Sequence, residues 1–195
     1  WISDGTAGGT HMLKDINTIG SSSPEYFTNY KSKVVFAADD GAYGKELWMT
    51  DGTASGTSMV KDIYQGNYGG CNLSYSIVYN NLLFFPGVDG SGGFPDLWVT
   101  DLTAQHTIKL VPPGATITGS MMMPTNFGIY NNELYMSAIF DTCGIELWKL
   151  SGGFTSSLPE VTADTYKLYP NPSHGLITLE SRNVGEALKV TDLQG

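Results

Sequence analysis

Charge is scarce in this sequence: Asp, Glu, Lys and Arg make 15% of 195 residues, against roughly 25% in an average soluble protein. What charge there is leans acidic, with 10 basic and 19 acidic residues and a formal net charge of −9. Nucleic acid is excluded as a partner on this ground, because phosphate binding needs clustered Lys and Arg. No basic amphipathic stretch is present to hold a membrane surface. No run of about 18 apolar residues reads as a bilayer-spanning helix, so no membrane insertion is expected. The longest apolar run, Leu82 to Pro86, has the length of a buried strand. Cysteine is nearly lacking. Cys71 and Cys143 are too few for a disulfide scaffold, and their spacing is not that of a zinc site. A single bridge is possible in an oxidising compartment, but two unpaired loop thiols, too far apart for a disulfide, are expected. Trp1 is not a start-codon product and no signal-peptide pattern is present, while Gly195 falls inside a strand-and-turn pattern. The sequence reads as an internal piece of a longer protein.

Glycine and aromatic residues are plentiful, with 24 Gly and 12% Phe, Trp and Tyr. That is the composition of a turn-rich β protein. Self-similarity then decides the fold class. Trp recurs at positions 1, 48, 98 and 148, and its context recurs with it. Trp1 opens W-I-S-D-G-T-A-G-G-T, Trp48 opens W-M-T-D-G-T-A-S-G-T, and Trp98 opens W-V-T-D-L-T-A-Q-H-T. Ahead of the last three stand Glu46-Leu47, Asp96-Leu97 and Glu146-Leu147. Each unit of about 50 residues parses into four short strands bounded by turn residues. In the second copy these are expected at Glu25 to Tyr30, Lys33 to Ala38, Glu46 to Thr50 and Thr57 to Ile63. In the third turn, Gly supplies positive φ without a Cβ clash. Leu102 and His106 stand where the second copy has Gly52 and Gly56. His tolerates the left-handed region; Leu does not, so a different turn is expected at Leu102.

Four strands in 40–50 residues, repeated, is the size of a propeller blade. The fold class expected is therefore an all-β, β-propeller-like array of about three and a half four-stranded blades, as an incomplete ring. The units fall at about 1–16, 24–63, 73–111 and 122–158. Within a blade the Trp lies on the third strand, where its ring would fill the gap to a neighbouring blade. The run Glu46-Leu47-Trp48-Met49-Thr50-Asp51-Gly52-Thr53 with Gly56-Thr57 resembles the ELWxxDGT repeat family of bacterial surface and secreted proteins. The resemblance covers Trp1 to Leu158. It implies a propeller-like architecture and no defined catalytic residues. Its structural repeat residues are Trp1, Trp48, Trp98, Trp148, Asp4, Gly5, Asp51, Gly52 and Asp101.

Residues 159–166 read as a linker rich in turn formers. Tyr169-Pro170-Asn171-Pro172-Ser173 with Gly175, followed by the strand pattern Leu176 to Glu180, resembles the C-terminal sorting domain read by the type IX secretion system of Bacteroidota. The resemblance implies that residues 167–195 begin a small Ig-like β-sandwich. It also implies the type IX secretion machinery as a partner, and an extracellular or outer-cell-surface destination.

Candidate chemistry is thin. Asp4, Asp51 and Asp101 recur at one turn position and invite calcium, but each loop offers one carboxylate where calcium takes six to eight oxygens. Asp closing its own turn is the better reading, and no cofactor is expected. His11, His106 and His174 sit in different segments and do not suggest a shared metal. A carboxylate repeated once per unit, as at Glu46, Asp96 and Glu146, is expected to bond nearby backbone, because catalysis needs an asymmetric pair. These features point to a non-catalytic secreted or cell-surface module for adhesion or for binding an extracellular glycan or protein. The alternative is the propeller portion of a secreted hydrolase or lyase whose catalytic residues lie elsewhere.

Overall fold

The computed structural model describes residues 1–91, 93–110, 123–139, 144–152 and 166–170. Among these residues twelve strands form three antiparallel sheets of four strands each. The first is β1 (Glu25–Tyr30), β2 (Lys33–Asp39), β3 (Lys45–Thr50) and β4 (Ser58–Lys61), paired in chain order. The second is β5 (Ile77–Tyr79), β6 (Leu82–Gly87), β7 (Asp96–Thr100) and β8 (Ile108–Leu110). The third is β9 (Thr125–Tyr130), β10 (Glu133–Ile139), β11 (Ile145–Gly152) and β12 (Tyr166–Pro170). Helix is limited, among the described residues, to one 3-10 turn at Leu73–Tyr75. From the first unit, Ile2 and His11 form an isolated antiparallel bridge.

The hairpins follow from their turn residues. Asn80-Asn81 and Asn131-Asn132 take φ values of 47°, 59°, 48° and 58°. Two consecutive positive φ values match the twist of the flanking strands, and Asn tolerates them. Lys31-Ser32 adopts the same pair, at 49° and 58°, without the favoured residues. Strand β4 is shorter than expected, because the chain leaves the sheet at Asp62 and turns towards the second sheet.

Consecutive strand residues point to opposite faces, and the Leu-Trp pair exploits this. Leu47 of β3 packs with Val35 and Ala37 against Leu83, Phe85 and Trp98 of the second sheet. Leu97 of β7 packs with Leu82, Phe84 and Val99 against Leu134, Met136 and Trp148 of the third. Each Leu therefore faces the following unit and each Trp the preceding one. Trp48, Trp98 and Trp148 are buried, whereas Trp1 is 83% exposed.

The outer face of the third sheet is built from other residues. Tyr135 and Lys149 are cross-strand partners there, where the first sheet has Val35 opposite Met49 and the second Phe84 opposite Val99. Lys149 pairs with Glu133 at 2.9 Å, and the Tyr135 hydroxyl donates to Glu133 at 2.9 Å. Leu147 is half-exposed.

The last strand is a departure from the expected boundaries. Tyr166–Pro170 pairs antiparallel with β11, Trp148 opposite Pro170 and Gly152 opposite Tyr166. Tyr169 and Pro170, which open the Tyr-Pro-Asn-Pro run, thus lie in the strand that completes the third sheet. Asn171, Pro172 and Gly175 lie outside the described residues. So does Cys143, and with it the expected wide separation of the two thiols. Cys71 is a buried, free thiol.

Side chains pin each unit to the next. The Tyr30 hydroxyl donates to the Asn81 carbonyl at 2.6 Å, and the Tyr79 hydroxyl to the Asn132 carbonyl at 2.7 Å. Lys14 reaches the Thr57 carbonyl at 2.6 Å, and Lys61 the Thr107 carbonyl at 2.8 Å. Tyr130, the third member of the tyrosine series, is 68% exposed. Replacing Tyr79 by Phe should cost about 1 kcal/mol and lower Tm by roughly 2–4 °C, whereas Tyr130→Phe should leave Tm unchanged in a calorimetric scan. Equal effects of the two would remove the pin from the account.

Candidate functional site

The strands of each sheet run alternately between two ends, and the ends differ in chemistry. At one end lie the Asn hairpins and the Asp-Gly-Thr turns. Each of the three turns closes through the same six hydrogen bonds. Asp51 Oδ1 accepts the Thr53 amide at 2.9 Å and the Thr53 hydroxyl at 2.7 Å. Asp4 with Thr6, and Asp101 with Thr103, repeat both distances. Bonds from Thr6 and Thr53 hold the Asp4 and Asp51 carboxyls below their ordinary range. Among the described residues no group of three His, Cys, Asp or Glu is placed to hold a metal ion.

The third turn corrects the expectation for Leu102. It keeps the six bonds, with the Leu102 amide donating to Thr100 Oγ1 at 2.8 Å, just as Gly52 donates to Thr50 at 3.1 Å. Leu102 takes φ 75°, close to the 89° and 90° of Gly5 and Gly52. A side chain there is strained by roughly 1–2 kcal/mol. Yet the Leu102 side chain is buried in the core between the first and second sheets, and burying a Leu contributes about 1.5–3 kcal/mol. Burial outweighs strain, so the turn survives without its glycine. His106 fits by bonding the same carboxylate, Nδ1 to Asp101 Oδ2 at 2.8 Å.

The acid ahead of each Leu-Trp pair differs from sheet to sheet. Glu46 is fully buried and accepts three backbone amides: Ile63 at 2.8 Å, Gly70 at 3.0 Å and Tyr64 at 3.3 Å. Burial pushes its carboxyl up to about 7, against those three donors and with the help of nearby Asp62. Asp96 is buried beside Lys109, which lies 3.3 Å from it and 2.7 Å from Asp89. Burial raises Asp96 as well, opposed by Lys109. Glu146 is half-buried. Bonding to backbone is thus the role of Glu46, whereas Asp96 bonds a lysine.

The opposite end carries the loops that Glu46 and Lys109 hold. Glu46 brackets loop 63–70, and Lys109 also donates to Ser91 of loop 88–95 at 2.9 Å. Close backbone approaches join the loops. The Val88 amide donates to the Gly70 carbonyl at 2.8 Å, and the Gly70 amide to the Lys45 carbonyl at 3.0 Å. A Cβ on Gly44 would meet the Tyr68 backbone at 2.7 Å, and one on Gly90 the Tyr64 ring at 3.1 Å. On this scaffold Tyr43, Tyr68 and Phe94 stand exposed. Tyr64 and Tyr68 touch, ring centroids 5.4 Å apart and planes inclined at 55°.

Sequence reasoning missed this cluster, because its aromatic residues fall outside the repeated positions and lie on loops of unequal length. Of the recurrent residues that it singled out, Trp48, Trp98 and Trp148 are core residues, Trp1 is exposed, and the Asp residues close turns; they are spread over all units, and the structure does not gather them. A separate cavity of about 390 Å³ lies in front of the first sheet, lined by Trp1, Met12, Phe27 and Phe36 among others. Neither Glu46 nor Asp96 borders it.

The raised carboxyl of Glu46 has a pH signature. Between its unfolded value of 4.5 and its folded value of about 7, the folded protein holds a proton that the unfolded chain has lost. Its contribution to stability is present below pH 4.5 and is lost as pH rises through about 7, an effect of about 3 kcal/mol. Denaturant titrations should show stability falling from pH 5 to pH 8, with a shallower fall in Glu46→Gln. Parallel slopes for the two proteins would assign the dependence to another group. Compared with protein-family models, with curated proteins and with solved structures, the chain matches none.

Proposed function

We propose that the three sheets are blades of an open, propeller-like array in an exported protein, and that the array binds an extracellular glycan or protein without transforming it. One observation carries the binding reading. The loop end of the first two sheets presents exposed aromatic side chains on a rigid, cross-bonded scaffold, the arrangement that serves recognition at small entropic cost. The two carboxyls that burial raises, Glu46 and Asp96, are both engaged in structural bonds, and neither borders the cavity in front of the first sheet. A hydrolase would need such a pair.

The propeller reading draws support from the repeated Leu-Trp packing between successive sheets and from the low helix content. The address draws support from the motif at Tyr169, Pro170, Asn171, Pro172 and Gly175 alone. Export through the type IX secretion machinery to the cell surface or medium follows from that resemblance. The Ig-like part of the expectation stays with the motif, since β12 is its only described strand.

A binding screen on the full-length protein, against immobilised glycans and matrix proteins, tests the function. Retention of a ligand without breakdown is expected, with and without millimolar calcium, since each turn aspartate already accepts two bonds through Oδ1. Release of ligand fragments would make the protein an enzyme. Calcium-dependent retention would return the aspartates to the site.

A further inference from the structure

We infer that the tyrosine pair Tyr64–Tyr68 is the contact platform for a neutral carbohydrate, an inference that rests on the binding reading above. The rings form an open V, with Tyr68 67% exposed and Tyr64 partly covered by Gly90. The face of an aromatic ring is electron-rich and its edge is electron-poor. A sugar ring offers a face of weakly positive C–H groups to such a surface, and hydroxyls around its rim. Gln65 and Asn67, both exposed between the two tyrosines, carry amides that donate and accept in equal measure. That is the complement of a hydroxyl.

Charge narrows the ligand class. The lysines at this end are committed, Lys45 to Glu25 at 2.8 Å and Lys109 to Asp89 and Asp96. The single arginine, Arg182, lies elsewhere in the sequence. Asp39 and Asp40 stand in the adjoining loop, and each spends an oxygen on backbone amides. An acidic polymer would meet negative charge with no free cation to answer it among the described residues. A protein partner fits less well, because interface anchors favour Arg and Trp beside Tyr, and among the described residues this end exposes neither.

The platform is held from below. Loop 63–70 is closed at both ends by the Glu46 carboxylate, through Ile63 and Tyr64 on one side and Gly70 on the other. Its shape is therefore set before any ligand arrives, which limits the ordering entropy that binding must overcome.

The test is calorimetric titration of the full-length protein with neutral oligosaccharides of glucose, mannose and xylose. A polygalacturonate and a lysine-rich peptide serve as acidic and cationic counterparts. At least one neutral probe should bind. Tyr68→Ala and Tyr64→Ala should each weaken it about tenfold, and Tyr68→Ala should leave Tm unchanged. Tighter binding of the polyuronate or the peptide, or indifference to both substitutions, would overturn the inference. If every sugar fails but Tyr68→Ala abolishes capture of a matrix protein, the carbohydrate assignment falls and the binding reading stands. Ligand breakdown would instead remove the binding reading itself.

Discussion

Adjacent residues of a strand cannot share a face, and in this protein that rule falls on Leu and Trp. Both are large and apolar, so burying both members of such a pair takes cover on both sides of the strand. A sheet built around β3 or β7 cannot meet water on either face without exposing one of them. The consequence is a row: Leu47 needs the second sheet, Trp98 needs the first, Leu97 needs the third, and Trp148 needs the second. Each unit lacks a complete core until its neighbours arrive, as in other repeat architectures. The Tyr30, Tyr79, Lys14 and Lys61 pins add direction to what burial alone leaves free to slide.

The two ends of the sheets divide the remaining work. At one end, hydroxyl and carboxylate oxygens saturate the backbone amides of three nearly identical turns. These groups are spent on themselves, which is why repetition there signals architecture. At the other end the loops differ in length and sequence, and ionisable side chains anchor them individually, Glu46 by backbone amides and Lys109 by two aspartates. Variation in such loops leaves the row intact, so that end is free to specialise.

Much of the fold could be read before the structure was seen. The Trp spacing and the Asp-Gly-Thr turns located every strand of the first sheet to within a residue or two. Local rules failed where a tertiary effect outweighed them. Leu102 should have broken its turn by backbone preference, and the neighbouring sheet reversed that by burying it. Strand β12 illustrates the same limit. Tyr166 to Pro170 carry the opening of a motif that suggests another domain, but an unfilled edge beside β11 takes them up. The aromatic cluster was illegible for a different reason, since no period marks it and only the closeness of three loops brings it together.

The polar outer face of the third sheet gives the row a handedness of growth. Between the earlier sheets, stacking removes mostly apolar groups from water, and the polar groups buried with them find partners across the junction. For a further sheet to settle on β10 and β11, the Glu133–Lys149 pair and the Tyr135 hydroxyl would have to be stripped of water. Desolvating an ion pair costs several kcal/mol that burial of Leu147 alone does not return. A protein made of self-complementary slabs risks polymerising without limit. Two charges and a phenol therefore set a desolvation cost against a further sheet on that side.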